Sequence, residues 1–256
     1  MTEALTHEIH GSGPGLVLVH GTSSTGTGSW GTILADLAAR YTVVLPNLPG
    51  SGDSPLPEGP LDPDTVADQI VATAQAAGLE TFAIAGASLG APLAIKVAAR
   101  HPGHVTRLAT VVGFARPRTT LRLNLEIWAA MFARQDPDQG KLIVMLSFAD
   151  EFLAALPDAR VAEFAALLTA HPAPGTAAQI DLGLRLDVRA DLGEVEAPSL
   201  VVAATGDRFV PPAHSHEIAD GIAGARFVEV SGGHAAIMED PRPTLSALLD
   251  FLDGPG

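Results

Sequence analysis

Residues Thr81–Arg100 read TFAIAGASLGAPLAIKVAAR. The run opens apolar from Phe82 to Ala85, as a buried parallel strand does. It turns through Gly86-Ala87-Ser88-Leu89-Gly90 and continues as an alanine-rich segment, with Pro92 at a position that the first turn of a helix tolerates. A strand, a tight turn and a helix form the context in which G-x-S-x-G presents a serine on a nucleophile elbow. Glycines flank the serine because so sharp a bend brings strand and helix too close for a β-carbon. The bend directs the Ser88 hydroxyl outward at the carboxyl edge of a sheet, above the positive end of the following helix.

Outward from this elbow the chain alternates strands and helices. Residues 4–10 read as an exposed antiparallel strand, and Leu16–Val19 as a buried strand ending at His20-Gly21-Thr22. A polar loop, Ser23 to Ser29, leads to a helix from about Trp30 to Arg40. Val43–Leu45 is the next strand, and a helix of 3.6 period runs from about Asp64 to Ala77. Leu108–Val112, Ser199–Ala203 and Arg226–Val230 are further strands, and Thr244–Leu252 is a closing helix. Such alternation predicts an α/β fold, a mostly parallel doubly wound sheet covered on both faces.

The rhythm breaks between Arg116 and about Asp187, where helical segments at Leu121–Arg134, Lys141–Phe148 and Val161–Thr169 are separated by prolines. This stretch reads as a helical cap inserted between two strands of one sheet. The expected organisation is residues 1–115 as the first part of the core, 116–187 as the cap, and 188–256 as the second part.

A chain of 256 residues with 47% hydrophobic content can bury a large core. Its net charge of -14 argues against a nucleic-acid partner or an anionic membrane surface. No apolar run reaches the length of a membrane span, and residues 1–15 lack a basic-then-apolar signal pattern, so a cytoplasmic protein is expected. Without cysteine there are no disulfides and no thiolate chemistry.

A serine hydroxyl needs a base to accept its proton, and that base needs a carboxylate to orient it. Asp207 follows the strand Ser199–Ala203, and His234 follows the strand Arg226–Val230. With Ser88 they occupy loops at one edge of a parallel sheet, in the chain order Ser–Asp–His. The oxyanion donors are expected to be the backbone N–H groups of Leu89 and Thr22, with Ser23 as a substitute for the latter. His20 reads as shaping that loop by hydrogen bonding, with a second base as the alternative role. In the cap, Leu121, Leu125, Trp128 and Phe132 form an apolar stripe. Trp128 and Phe132 are the candidates for contact with substrate; packing against other cap helices is the alternative role for the stripe.

Other patterns carry less. Gly26-Thr27-Gly28-Ser29-Trp30-Gly31 matches G-x-G-x-x-G, but it starts too far after its strand, and the next strand ends in Pro46-Asn47 rather than an acid. Gly21 to Gly26 has phosphate-loop spacing but is followed by Thr27 where a lysine is required. His214 and His216 point to different sides of a helix and make a poor metal pair. Arg116, Arg118 and Arg122, at the entrance to the cap, read as a solvated helix face, with guidance of an anionic substrate as the alternative.

Taken together, His20-Gly21, Pro49-Gly50-Ser51-Gly52-Asp53-Ser54, the Ser88 elbow, Gly206-Asp207 and Gly233-His234 resemble the α/β-hydrolase fold family, in its capped, serine-dependent branch. Serine at position 88 departs from the epoxide hydrolases and haloalkane dehalogenases of that family, which carry Asp there. Asn47 stands where many relatives have Asp. The resemblance implies hydrolysis of a small-molecule carboxylic ester, lactone or thioester through an acyl-enzyme on Ser88. No metal or organic cofactor is expected. Alternatives are a hydrolase or acyltransferase acting on a natural-product intermediate, including a cyclising release step, and a ligand receptor that binds without turnover.

Overall fold

Buried side chains alternate along the strands and give the sheet two apolar faces. The computed structural model describes residues 2–170 and 172–254. In chain order its strands are β1 (His7–His10), β2 (Gly15–Val19), β3 (Thr42–Pro46), β4 (Phe82–Ala87), β5 (Val105–Val111), β6 (Ser199–Ala204) and β7 (Arg226–Val230). Among the described residues they form one sheet in the order β1-β3-β2-β4-β5-β6-β7. β1 runs antiparallel to β3, with His7 opposite Pro46, and every other pairing is parallel. On β2, Val17 and Val19 face one layer of the core while Leu16 and Leu18 face the other. On β4, Phe82 and Ile84 face the first layer and Ala83 and Ala85 the second, the period of two that a pleated strand imposes.

Helices cover both faces. α1 (Gly26–Ala38) packs Trp30, Ile33 and Leu37 into the second layer. α2 (Pro63–Ala76) and α3 (Gly90–Arg100) fill the first with Ile70, Leu93 and Ile95. Between β5 and β6 come α4 (Thr119–Ala133), α5 (Gln139–Ser147), α6 (Asp150–Ala154), α7 (Asp158–Ala170), α8 (Thr176–Arg185) and α9 (Arg189–Leu192). α10 (Ala213–Gly221), α11 (Ala236–Glu239) and α12 (Pro241–Leu252) complete the order. α5 and α7 hold a small core of their own around Val144, Phe148 and Ala165. No described helix is long and apolar enough to cross a membrane.

The sheet is mostly parallel and clad on both faces, as the sequence predicts. Several boundaries differ. α1 starts at Gly26, inside the stretch expected to be a loop, because Thr25 caps it by accepting the Gly28 N–H at 3.1 Å. α2 and α12 start earlier than their apolar periods suggest, each with an aspartate cap (Asp62, Asp240) followed by proline at the first helical position. α8 lies wholly outside the expected helices. Its buried residues are Thr176, Gln179, Ile180, Leu182 and Gly183, so Thr176 and Gln179 occupy positions where an apolar repeat would signal a helix.

Candidate active site

β2 and β4 are neighbours in the sheet, yet the chain leaves β2 toward one edge and β4 toward the other. At such a switch point the loops beyond the carboxyl ends of two adjacent strands splay apart and leave a crevice. Ser88 stands at that point. It follows β4 at φ +55, in the left-handed region that costs a residue with a β-carbon about 1–2 kcal/mol. The turn is feasible only with glycine at both shoulders. A β-carbon on Gly86 would sit 2.1 Å from Gly90 O, and one on Gly90 would sit 2.3 Å from Val19 O. Ser88 N–H is held by Val111 O at 3.0 Å.

Two further loops bring their side chains to Ser88. His234 Nε2 lies 2.9 Å from Ser88 Oγ, and His234 Nδ1 lies 2.7 Å from Asp207 Oδ2. An ionised carboxylate only accepts, so Nδ1 carries the proton and Nε2 is free to accept from the serine hydroxyl. Asp207 is buried, and its second oxygen, Oδ1, accepts the Phe209 N–H at 2.9 Å and the Val210 N–H at 2.7 Å. Those two amides fix the carboxylate in the plane that the imidazole requires. The Phe209 ring stacks on the imidazole with centroids 5.2 Å apart, and Trp128 meets Phe209 edge-on at 5.7 Å.

The loop after β2 lies directly against the serine: a β-carbon on Gly21 would come within 3.1 Å of Ser88 Cβ. Of its amides, Gly21 N–H donates to Ser29 Oγ at 3.3 Å and Ser23 N–H to Gln179 Oε1 at 2.8 Å. The N–H groups of Thr22 and Leu89 have no partner among the described residues. Ser23, the substitute donor expected from the sequence, is therefore occupied. His20 is fully buried, donates from Nδ1 to Gly21 O at 2.7 Å, and accepts the Leu48 N–H on Nε2 at 2.9 Å. Burial pushes its pKa down to about 4, against a smaller opposing effect of the Gly21 bond, so it is a neutral strut between two loops.

A cavity of about 600 Å³ opens above Ser88. One part of its wall is apolar, with Val112, Trp128, Ile143, Leu168, Phe209 and Ile237, and another carries the hydroxyls of Thr22, Ser23, Ser24, Thr25 and Ser29. Val112, at φ +47, is a β-branched residue in the left-handed region, a rare conformation that gathers at functional sites. Trp128 lines the cavity, but Phe132 does not: it packs against the main core, one helical turn further along α4. Leu121 and Leu125 are buried in that same core, so most of the α4 stripe serves packing.

The remaining candidates lie elsewhere. Gly26–Gly31 falls within α1 rather than in a loop ahead of a helix. His214 is buried against Pro211 O at 2.9 Å, while His216 is exposed and stacks on Phe227. Arg116 pairs with Glu217 at 3.0 Å and Arg118 reaches Ala213 O at 3.1 Å, both at a separate cleft. The sequence reading missed Gln179 and Thr176, which sit in the unforeseen helix, and Glu239, whose carboxylate accepts the Gly233 N–H at 2.9 Å.

Comparison with known proteins agrees with this architecture. A family model described as alpha/beta hydrolase fold matches residues 14–241. A protein of Xenorhabdus hominickii named pyrrolizixenacetamide deacetylase is 31% identical over 246 residues, covering 95% of this chain and 92% of its own. A pimeloyl-[acyl-carrier protein] methyl ester esterase of Photobacterium profundum is 30% identical, covering 98% and 100%. The crystal structure of a hydrolase from Pseudomonas aeruginosa superposes with a TM-score of 0.85 at 25% identity, covering 97% of this chain and 94% of that one. The chain belongs to the alpha/beta hydrolase fold family.

Proposed function

We propose that this α/β hydrolase cleaves a small-molecule carboxylic ester, lactone or thioester through an acyl-enzyme on Ser88. The observation that carries the reading is the hydrogen-bonded chain Asp207–His234–Ser88, at 2.7 and 2.9 Å, facing a cavity beside two amides that have no partner among the described residues. In the first step Ser88 Oγ bonds to the carbonyl carbon, its proton passes to His234 Nε2, and the carbonyl π electrons move onto oxygen. That oxyanion is taken up by the Thr22 and Leu89 N–H groups, donors that need no reorganisation as charge develops. Asp207 keeps the imidazole in the required tautomer and stabilises its protonated form. Collapse of the adduct breaks the bond to the leaving group, which carries away the proton from Nε2. Water then repeats the sequence, releasing the carboxylic acid and returning the proton to Ser88. The helices of 116–187 act in this reading as a cap whose side chains, Trp128 among them, select the substrate.

The Xenorhabdus relative favours a second reading, cleavage of an acetamide, because it is named a deacetylase of an acetamide. The same triad serves both bonds, with an amine rather than an alcohol taking the proton from His234. A panel of matched esters, thioesters and acetamides, run with an organophosphonate probe, tests the proposal. One equivalent of label on Ser88 together with steady-state ester turnover is expected. Absence of label, or label on another residue, overturns it; preferred acetamide turnover with label on Ser88 selects the second reading.

A further inference from the structure

The amide that separates the two possible donors of the loop after β2 is held from far along the chain. Ser23 sits at φ +59, which a residue with a β-carbon adopts only when its surroundings hold it there. Its N–H donates to Gln179 Oε1 at 2.8 Å, across 156 positions of sequence. Gln179 is fully buried, and its Nε2 donates to Pro49 O at 3.0 Å and to Ser51 Oγ at 2.9 Å. With both amide protons and the oxygen engaged, the carboxamide cannot turn. One helical turn away on the same face, Thr176 gives its hydroxyl proton to Ala173 O at 2.7 Å and so accepts that of Ser23, 2.7 Å away. Only an amide side chain meets this demand for one acceptor and two donors in a single plane.

We propose that Gln179 is a positioning residue for the oxyanion hole. By taking the Ser23 N–H and pinning the left-handed turn, it sets the direction of the preceding peptide, whose Thr22 N–H is left to meet the oxyanion at Ser88. It touches no substrate atom, and its effect is felt in the transition state, where the donors have to be aimed at the oxyanion. The inference rests on Ser88 being the nucleophile.

The test compares wild type, Gln179→Met and Gln179→Glu. Methionine keeps the shape and loses all three bonds; glutamate keeps an acceptor for Ser23 N–H. Each protein is titrated with the phosphonate probe, assayed on one p-nitrophenyl ester, and bound to a trifluoromethyl ketone and its unfluorinated methyl ketone. The fluorinated ketone adds to Ser88 and places an oxyanion in the hole, whereas the methyl ketone binds without adding. For Gln179→Met, kcat should fall roughly 10–100-fold, less than or equal to the loss of one oxyanion donor. KM should stay within about threefold, and the preference for the fluorinated ketone should fall by the same factor as kcat. Gln179→Glu should keep that preference within about threefold of wild type even if its melting temperature drops, and it carries the test if Gln179→Met does not fold. An unchanged preference in Gln179→Met overturns the proposal, as does an equal loss in both variants or equal weakening of both ketones. If wild type takes no label and shows no preference, the nucleophile itself is wrong, a separate failure.

Discussion

Glu239 Oε1 accepts the Gly233 N–H at 2.9 Å, one residue before His234, and the same oxygen accepts the Ala149 N–H at 2.8 Å. A single carboxylate on α11 thus ties the histidine loop to the junction between α5 and α6. Ala235 N–H adds a second tie, to Ser147 O at 2.7 Å. Glu239→Ala should cost about 3 kcal/mol of unfolding free energy, since two charge-assisted bonds are lost and two amides left bare. It should also slow kcat roughly 10–100-fold by loosening His234. Glu239→Gln, which keeps an acceptor oxygen, should stay within about 1 kcal/mol of wild type. Denaturant titration alongside ester kinetics measures both, and full kcat in Glu239→Ala would show that the tie does not orient the histidine.

Ser88→Ala should abolish phosphonate labelling and lower kcat by about 10³-fold or more, leaving only what binding and the oxyanion donors supply. Intact-mass analysis and burst kinetics check this. Label that survives the substitution would move the nucleophile elsewhere.

Asp207→Asn should fold, because an amide oxygen can still accept the Phe209 and Val210 N–H groups. An amide nitrogen facing His234 Nδ1 favours the opposite tautomer, and kcat should fall on the order of 10²–10⁴-fold. Nearly full activity with a native circular dichroism spectrum would exclude Asp207 as the orienting acid.

Stability should fall in acid through His20. Its pKa drops from 6.5 in the unfolded chain to about 4 when buried, so the unfolded state binds the extra proton first. The stabilisation is complete above about pH 6.5 and is lost as pH falls toward 4, to a total of roughly 3 kcal/mol. His214, whose pKa is also lowered chiefly by burial, acts in the same sense. Unfolding free energies of wild type and His20→Gln between pH 7 and 4.5 should differ in slope, with the variant flatter. Parallel profiles would mean that folding leaves the pKa of His20 unchanged.

Trp128→Ala should change kcat/KM unevenly across a series of acyl chain lengths, by about 1–3 kcal/mol between the best and worst substrates. Trp128 lines the cavity and meets Phe209 edge-on, so truncation widens the apolar wall beside the histidine. A uniform loss accompanied by a lower melting temperature would assign the ring to the core alone.

The residues that meet at Ser88 could be read from the chain because their signals are local. A glycine-shouldered turn between strand and helix is visible in five residues, and Asp207 and His234 are legible as loop residues that follow apolar strands. Parallel strands then gather their carboxyl ends at one edge whatever the loops contain. The sequence read His20 as shaping its loop by hydrogen bonding, and the bond to Leu48 N–H that makes it a strut between two loops is seen only in the structure. What the sequence left open depends on contacts across many residues. α8 escaped notice because Thr176 and Gln179 interrupt its buried face beside Ile180 and Leu182, and those polar residues have a purpose only beside Ser23, Pro49 and Ser51, which the fold brings to Gln179. Phe132 and Trp128 belong to one stripe, yet of the two only Trp128 lines the cavity while Phe132 packs against the main core. The sequence named Thr22 as the second donor with Ser23 as its substitute, and the bond from Ser23 N–H to Gln179 is what tells the two amides apart. Backbone periodicity and turn chemistry are written in neighbouring residues, so the chain alone determined the fold and the strand ends at which Ser88, Asp207 and His234 stand. The aim of an amide or the reach of a ring is set by partners distant in sequence, and only the tertiary structure decided those.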